Sequence, residues 1–83
     1  MKQYLKQQME ATFEKEVKDA FNNNPMKGTP LEGMMIYSAI GTTAGSFKET
    51  LKADSDKIGM SEKEIEELVD EVSTKIINKY LEI

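Results

Sequence analysis

Residues Gly33 to Phe47 read GMMIYSAIGTTAGSF and contain no charged residue, although 31% of the 83-residue chain is charged. The stretch combines bulky apolar side chains with Gly, Ala, Ser and Thr. Apolar groups of this kind are stable when they are buried against another surface, and small residues let that surface approach closely. We therefore expect this uncharged stretch to form the centre of the fold.

Apolar periodicity on both sides of this stretch predicts an all-α fold. The pattern indicates a single domain with helices near residues 3–22, 30–58 and 61–83, arranged as a small three-helix bundle or helical hairpin around a buried central helix. In the first helix, apolar residues recur every four positions, at Leu5, Met9, Phe13, Val17 and Phe21. In the third, they form one stripe, at Ile65, Leu68, Val69, Val72, Ile76, Tyr80 and Ile83.

Capping residues delimit the second and third helices. Thr29, Pro30 and Glu32 form a capping box at the start of the second helix, and Gly59 is expected to end it. A second capping box begins the third helix at Ser61. Later in that helix, Glu71 and Lys75 are spaced to form an ion pair four residues apart.

The conformation of the uncharged stretch has two alternatives to a continuous helix. Gly41 and Gly45 are poor helix formers, each costing about 1 kcal/mol relative to Ala. The helix could therefore break near Gly41. Residues 34–40 could instead form a strand, followed by a turn over residues 41–45. The capping box and the spacing that continues through Phe47 and Leu51 favour the continuous helix.

The predicted central helix carries two stripes. One is bulky, with Ile36, Ile40, Phe47, Leu51 and Ile58. The other is small, with Ser38, Gly41 and Gly45 flanked by Met34, and its spacing allows close approach of a second helix. That second helix belongs either to the same chain or to another copy.

A chain of this length is expected to cover only one of the two stripes. Small domains usually gain only about 3–5 kcal/mol from one core, which favours reinforcement by self-association. We therefore predict a homodimer. The residues expected at the self-association or partner interface are Met34, Ser38, Gly41, Gly45, Ile77 and Leu81.

The composition argues against several other classes of protein. The chain has no Cys, His or Arg and a net charge of −4. We therefore predict no disulfide, no metal site, no cofactor, no catalytic residues and no direct nucleic-acid binding. Residues 54–65 resemble a calcium loop, but two ligand positions hold Ile58 and Ile65. The uncharged stretch is shorter than the roughly 20 residues of a membrane span, and no signal peptide is apparent, so a cytoplasmic location is expected.

These features predict a non-enzymatic interaction module, such as an adaptor, an inhibitor or an assembly factor. It would dock its helices on a protein partner of unknown identity, as accessory proteins of bacteria and phages often do. The alternative is an acidic decoy that occupies a nucleic-acid-binding protein. The decoy would use an acidic face of the third helix, at Glu66, Glu67 and Asp70.

Overall fold

The structure is a computed structural model that describes residues 2–23 and 28–81. Every regular element in these ranges is a helix, which confirms the all-α prediction. Four helices follow one another, α1 (Lys2–Asn23), α2 (Glu32–Ala53), α3 (Ser55–Ile58) and α4 (Glu62–Leu81). Because Gly41 and Gly45 lie inside α2, the strand and the break near Gly41 are both wrong. The predicted third helix ended at residue 83, and residues 82 and 83 lie outside the described ranges.

The core lies where α1, α2 and α4 meet, and each helix contributes one apolar stripe to it. The predicted stripes are confirmed as this core, since most of their members are less than 2% exposed. Partly buried apolar residues, including Phe47, Leu51 and Tyr80, pack around it. The buried apolar side chains are Met9, Phe13, Val17, Ile36, Ile40, Met60, Ile65, Leu68, Val69, Val72 and Ile76.

Ion pairs between helices show how the helices run relative to one another. Three pairs join α1 to α4, and in each the two residues are 65 positions apart, as in Glu10–Lys75. A constant separation means that α1 and α4 run parallel. Between α2 and α4, Lys48 pairs with Asp70 and Lys52 with Glu66, so the residue number falls on one helix as it rises on the other. Helices α2 and α4 are therefore antiparallel.

The predicted helix over residues 30–58 is divided at Asp54. This residue leaves helical geometry with φ −111° and ψ 20°, and its N–H donates to the carbonyl of Leu51 in a tightened last turn. Asp competes for helical backbone bonds through its own side chain, so a break is inexpensive there. The turn α3 then brings Ile58 back onto the core and ends at Gly59, whose φ of 70° lies in the left-handed region. The predicted stop at Gly59 is confirmed.

The two predicted capping boxes have different outcomes. At α4, the N–H of Glu64 donates to the Ser61 hydroxyl and the N–H of Ser61 donates to the Glu64 carboxylate, which confirms the box. At α2, the helix begins two residues later than predicted, because residues 28–31 form a turn. The Glu32 carboxylate accepts from the N–H of Gly28, one residue before the predicted cap.

Candidate protein interaction surface

One face of α2 points away from the core and remains open to solvent. This outer face consists of Met34, Met35, Tyr37, Ser38, Gly41 and Gly45. Met34 is 68% exposed and Tyr37 54% exposed. The buried stripe of the same helix holds Ile36 and Ile40, which are at most 1% exposed. The predicted division of α2 into two stripes is therefore confirmed, and only the bulky one is covered.

The two glycines of the outer face expose the helix backbone. A Cβ atom added at Gly41 or Gly45 would meet nothing within 4 Å outside the local helix. Close packing of these glycines against α1 or α4, one of the two expectations for this stripe, is therefore wrong. The other expectation, contact with a second polypeptide, remains a prediction.

Leu81 of α4 extends the outer face at one end. An open groove lined by Gly33, Met34, Tyr37 and Leu81 lies where the start of α2 meets the end of α4. A second groove, of about 590 Å³, continues along α2 from Met34 to Gly41. Met34 and Tyr37 line both grooves. The structure thus brings together four predicted interface residues, Met34, Ser38, Gly41 and Leu81.

The two remaining predicted interface residues, Gly45 and Ile77, differ in their exposure to solvent. Gly45 is exposed one turn beyond Gly41 and continues the same face of α2. Ile77 is half-buried and packs at the edge of the core. It therefore contributes more to the bundle than to the open surface.

A further groove lies between α1 and α2. It is smaller, about 300 Å³, and its lining residues are Thr12, Glu16, Thr42, Thr43, Ser46 and Phe47. Glu16 supplies the single carboxylate in this lining, so carboxylates do not converge there. The Thr43 hydroxyl donates to the carbonyl of Ala39 in its own helix, at 2.9 Å. The groove offers hydroxyl groups and one acid beside an aromatic ring.

The predicted acidic face of α4 is largely paired with lysines. Glu66 accepts from Lys52, and Asp70 lies 2.8 Å from the Lys48 ammonium. Among the residues that the structure describes, Glu67 takes part in no ion pair. The acidic face is therefore a row in which two of three acids already have a positive neighbour.

The predicted pair between Glu71 and Lys75 is wrong. Glu71 lies 3.0 Å from the ammonium of Lys6, and Lys75 donates to Glu10 at 2.9 Å. Both partners belong to α1. Glu71 and Lys75 therefore form their ion pairs with α1 and not with each other. These pairs between α1 and α4 are consistent with one register of the two helices.

Two of these ion pairs shift the pKa values of their members. The hydrogen bond from Lys52 lowers the pKa of Glu66 below its ordinary 4.5, and the same bond raises the pKa of Lys52 above 10.5. The bond between Lys79 and Glu14 acts likewise, lowering the pKa of Glu14 and raising that of Lys79. Both carboxylates are ionised at neutral pH, as are both lysines.

The exposure of Tyr37 and Met35 was missed by sequence reasoning. On a helix Tyr37 follows Ile36 and borders the bulky stripe, which favours partial burial, whereas the residue is 54% exposed and lines the same grooves as Met34. The adjacent pair Met34–Met35 was a partial signal, because two apolar residues 100° apart on a helix extend the apolar surface beyond a single stripe. Met35 is 44% exposed.

Two other kinds of site are absent from residues 2–23 and 28–81. In these ranges no three acidic residues gather as they would around a metal ion. No helix there has the length and apolar character required to cross a membrane. No protein-family model matches the chain, and neither a curated protein nor a solved structure matches it.

Proposed function

We propose that this chain is a non-enzymatic protein–protein interaction module that docks through the outer face of α2 and also associates with a second copy of itself. An adaptor, an inhibitor or an assembly factor would act in this way. We also propose a cytoplasmic location. A chain without cysteine has no disulfide bond that the reducing cytoplasm could break.

The outer face of α2 is the observation that carries the proposal. Three large apolar side chains, Met34, Met35 and Tyr37, are 44–68% exposed within a segment that has no charge. Exposed apolar surface that is contiguous, and not scattered singly, is typical of protein interaction sites. Methionine and tyrosine suit such a site, because methionine adapts its shape and tyrosine offers a large ring with a polar end.

The ion pairs favour this function over the acidic decoy. A decoy must present unpaired negative charge to a basic partner. Lys48 and Lys52 partly neutralise the face that would have to do so. The outer face of α2, in contrast, has no charged group that would have to be desolvated when it leaves water.

Replacement of Met34 by Asp tests the apolar mechanism. A charge in the middle of the surface would have to be desolvated on binding, so we expect Met34→Asp to weaken self-association at least about tenfold. Light scattering and sedimentation at micromolar concentrations measure this loss. Tyr4→Asp is the matched control, because Tyr4 is a similarly exposed apolar residue, 60% accessible, on α1. A protein that is monomeric at every concentration contradicts the self-association part of the proposal.

Salt and charge reversal distinguish the docking module from the decoy. Screening weakens attraction between an acidic face and a basic partner, so decoy binding would fall steeply with salt and with Glu67→Lys. Self-association through an uncharged face has a different salt dependence. Two chains of net charge −4 repel each other, and salt screens this repulsion, so added salt should leave the self-association unchanged or strengthen it slightly. A self-association that disappears at high salt contradicts the apolar mechanism.

A further inference from the structure

We infer that the partner of the outer face of α2 is a second copy of this chain, whose α2 lies antiparallel across it. The inference rests on the proposed self-association through this face and adds to it the direction in which the two copies lie. Three features of α2 support it, namely the distribution of side-chain size, the absence of charge, and the position of Glu49.

Side-chain size is unevenly distributed along the outer face. The large exposed residues Met34 and Tyr37 occupy its first half with Met35 at its edge, and the exposed glycines Gly41 and Gly45 occupy its second half. When two identical helices cross antiparallel, the first half of each meets the second half of the other. The large side chains of one copy then lie over the bare backbone of its partner, as knobs over holes.

The absence of charge makes the face compatible with itself. A partner that recognised this face through ion pairs would find no charged group between residues 33 and 47. A second uncharged face leaves no charge unpaired on either side. A two-fold interface also uses the same patch twice, so a single face suffices for both partners.

The position of Glu49 weighs against a parallel second helix. It is exposed four residues beyond Gly45 and therefore continues the outer face of α2. A parallel arrangement in register would place the two Glu49 carboxylates side by side, where they repel. The antiparallel arrangement separates the two Glu49 carboxylates, and each then lies toward the start of the partner's α2, where Glu32 already occupies the first turn, so side-chain size and not charge carries the choice of direction.

The two-fold axis of this arrangement passes between Ser38 and Gly41. At a rise of about 1.5 Å per residue, the two copies of Ser38 are offset along the helices by only about 5 Å, whereas the two copies of Glu49 are about 30 Å apart. A disulfide requires Cα atoms within about 7 Å. Single cysteines at these positions therefore report both the face and the direction, in a chain that has no cysteine of its own.

The experiment compares three single-cysteine variants, Ser38→Cys, Glu49→Cys and Thr74→Cys, under mild oxidation at micromolar concentration. All three positions are exposed, and Thr74 lies on α4 as a control for random collision. We expect Ser38→Cys to form covalent dimers at least about tenfold faster than the other two, which corresponds to about 1.4 kcal/mol of preferential proximity. Circular dichroism of each variant verifies that the helices are intact.

The alternative outcomes separate this inference from the proposed function. Rapid cross-linking of Glu49→Cys indicates a parallel dimer and overturns the antiparallel arrangement, while self-association survives. A dimer by mass in which neither α2 variant cross-links faster than Thr74→Cys uses another face and also overturns the inference. A monomer by mass, with equally slow cross-linking of all three variants, removes the inference and the proposed self-association together.

Discussion

Helix α4 is enclosed by its neighbours on two sides, whereas the outer face of α2 is open to solvent. Five residues of α4 are buried in the core, and all five ion pairs among the described residues include a charge from α4. The outer face of α2 has large apolar side chains, glycines and no ion pair. The chain therefore concentrates its ion pairs around one helix and leaves one face of the uncharged segment of another uncovered.

The two regions make different contributions to the bundle. Charges at the edges of α4 pair with α1 and α2, which fixes the direction and register of three helices. The uncharged stretch supplies the core with Ile36 and Ile40 and then presents its other side to solvent. Under the proposed function, stability and binding depend on opposite sides of α2, so we expect that each can be altered separately.

The largest expected effect comes from truncating matched apolar residues in the two regions. Ile65 is fully buried, so we expect Ile65→Ala to reduce the free energy of unfolding by about 2–5 kcal/mol, comparable to the whole stability of a domain of this size. Met34→Ala should change it by less than about 0.5 kcal/mol, because Met34 is 68% exposed. Urea denaturation at sub-micromolar concentration, followed by circular dichroism, measures both. Equal losses would mean that the outer face is part of the monomer core.

A smaller effect is expected from alanine at two glycines in different conformations. Gly41→Ala should stabilise the monomer by about 1 kcal/mol, because the site is helical and has space for a Cβ. Gly59→Ala should destabilise it by about 1 kcal/mol or more, because its φ of 70° is left-handed. Thermal unfolding of both variants tests the signs. If Gly41→Ala also weakens self-association, the glycine serves close approach, and an unchanged dimer would argue against that role.

The smallest expected effect is the response of the ion pairs to pH. Glu14 and Glu66 have pKa values lowered in the folded state, so their contribution is present above about pH 4.5 and is lost as the pH falls through the lowered values. Lys52 and Lys79 have raised pKa values in the folded state. Their contribution to stability is therefore present below pH 10.5 and is lost as the pH rises through the raised values. The resulting changes in the free energy of unfolding should be small at both ends of the pH range, because these side chains are solvated.

Melting temperatures measured from pH 2 to 7 test the acidic limb, with a double variant Glu14→Gln and Glu66→Gln as control. The double variant should show a weaker decline below pH 4.5 than the unaltered chain. Parallel curves for the two proteins would show that these pairs do not contribute to folding.

Much of the fold was predictable because local signals agreed with one another. The four-residue spacing through Met9, Phe13 and Val17 reflects helix geometry and requires no knowledge of neighbours. The Ser61–Glu64 capping box is likewise satisfied by atoms three residues apart. The stop at Gly59 needs only the low cost of left-handed backbone at glycine.

The errors concern choices between competing partners. Glu71 could pair with Lys75 on its own helix or with Lys6 on α1, and only the packing of the two helices determines which is nearer. The end of α2 at Asp54 accompanies the packing of Ile58 against the core from a separate turn, which the helical spacing did not indicate because it placed Ile58 on the same continuous helix.

The sequence by itself determined that this protein is helical, where most of its helices end, and that α2 has one bulky and one small stripe, because hydrophobic spacing and capping act within a few residues. The tertiary structure decided which stripe is covered. With α1 and α4 both packed on the side of Ile36 and Ile40, no helix of the described chain remains to cover Gly41 and Gly45, and the open face follows from that geometry.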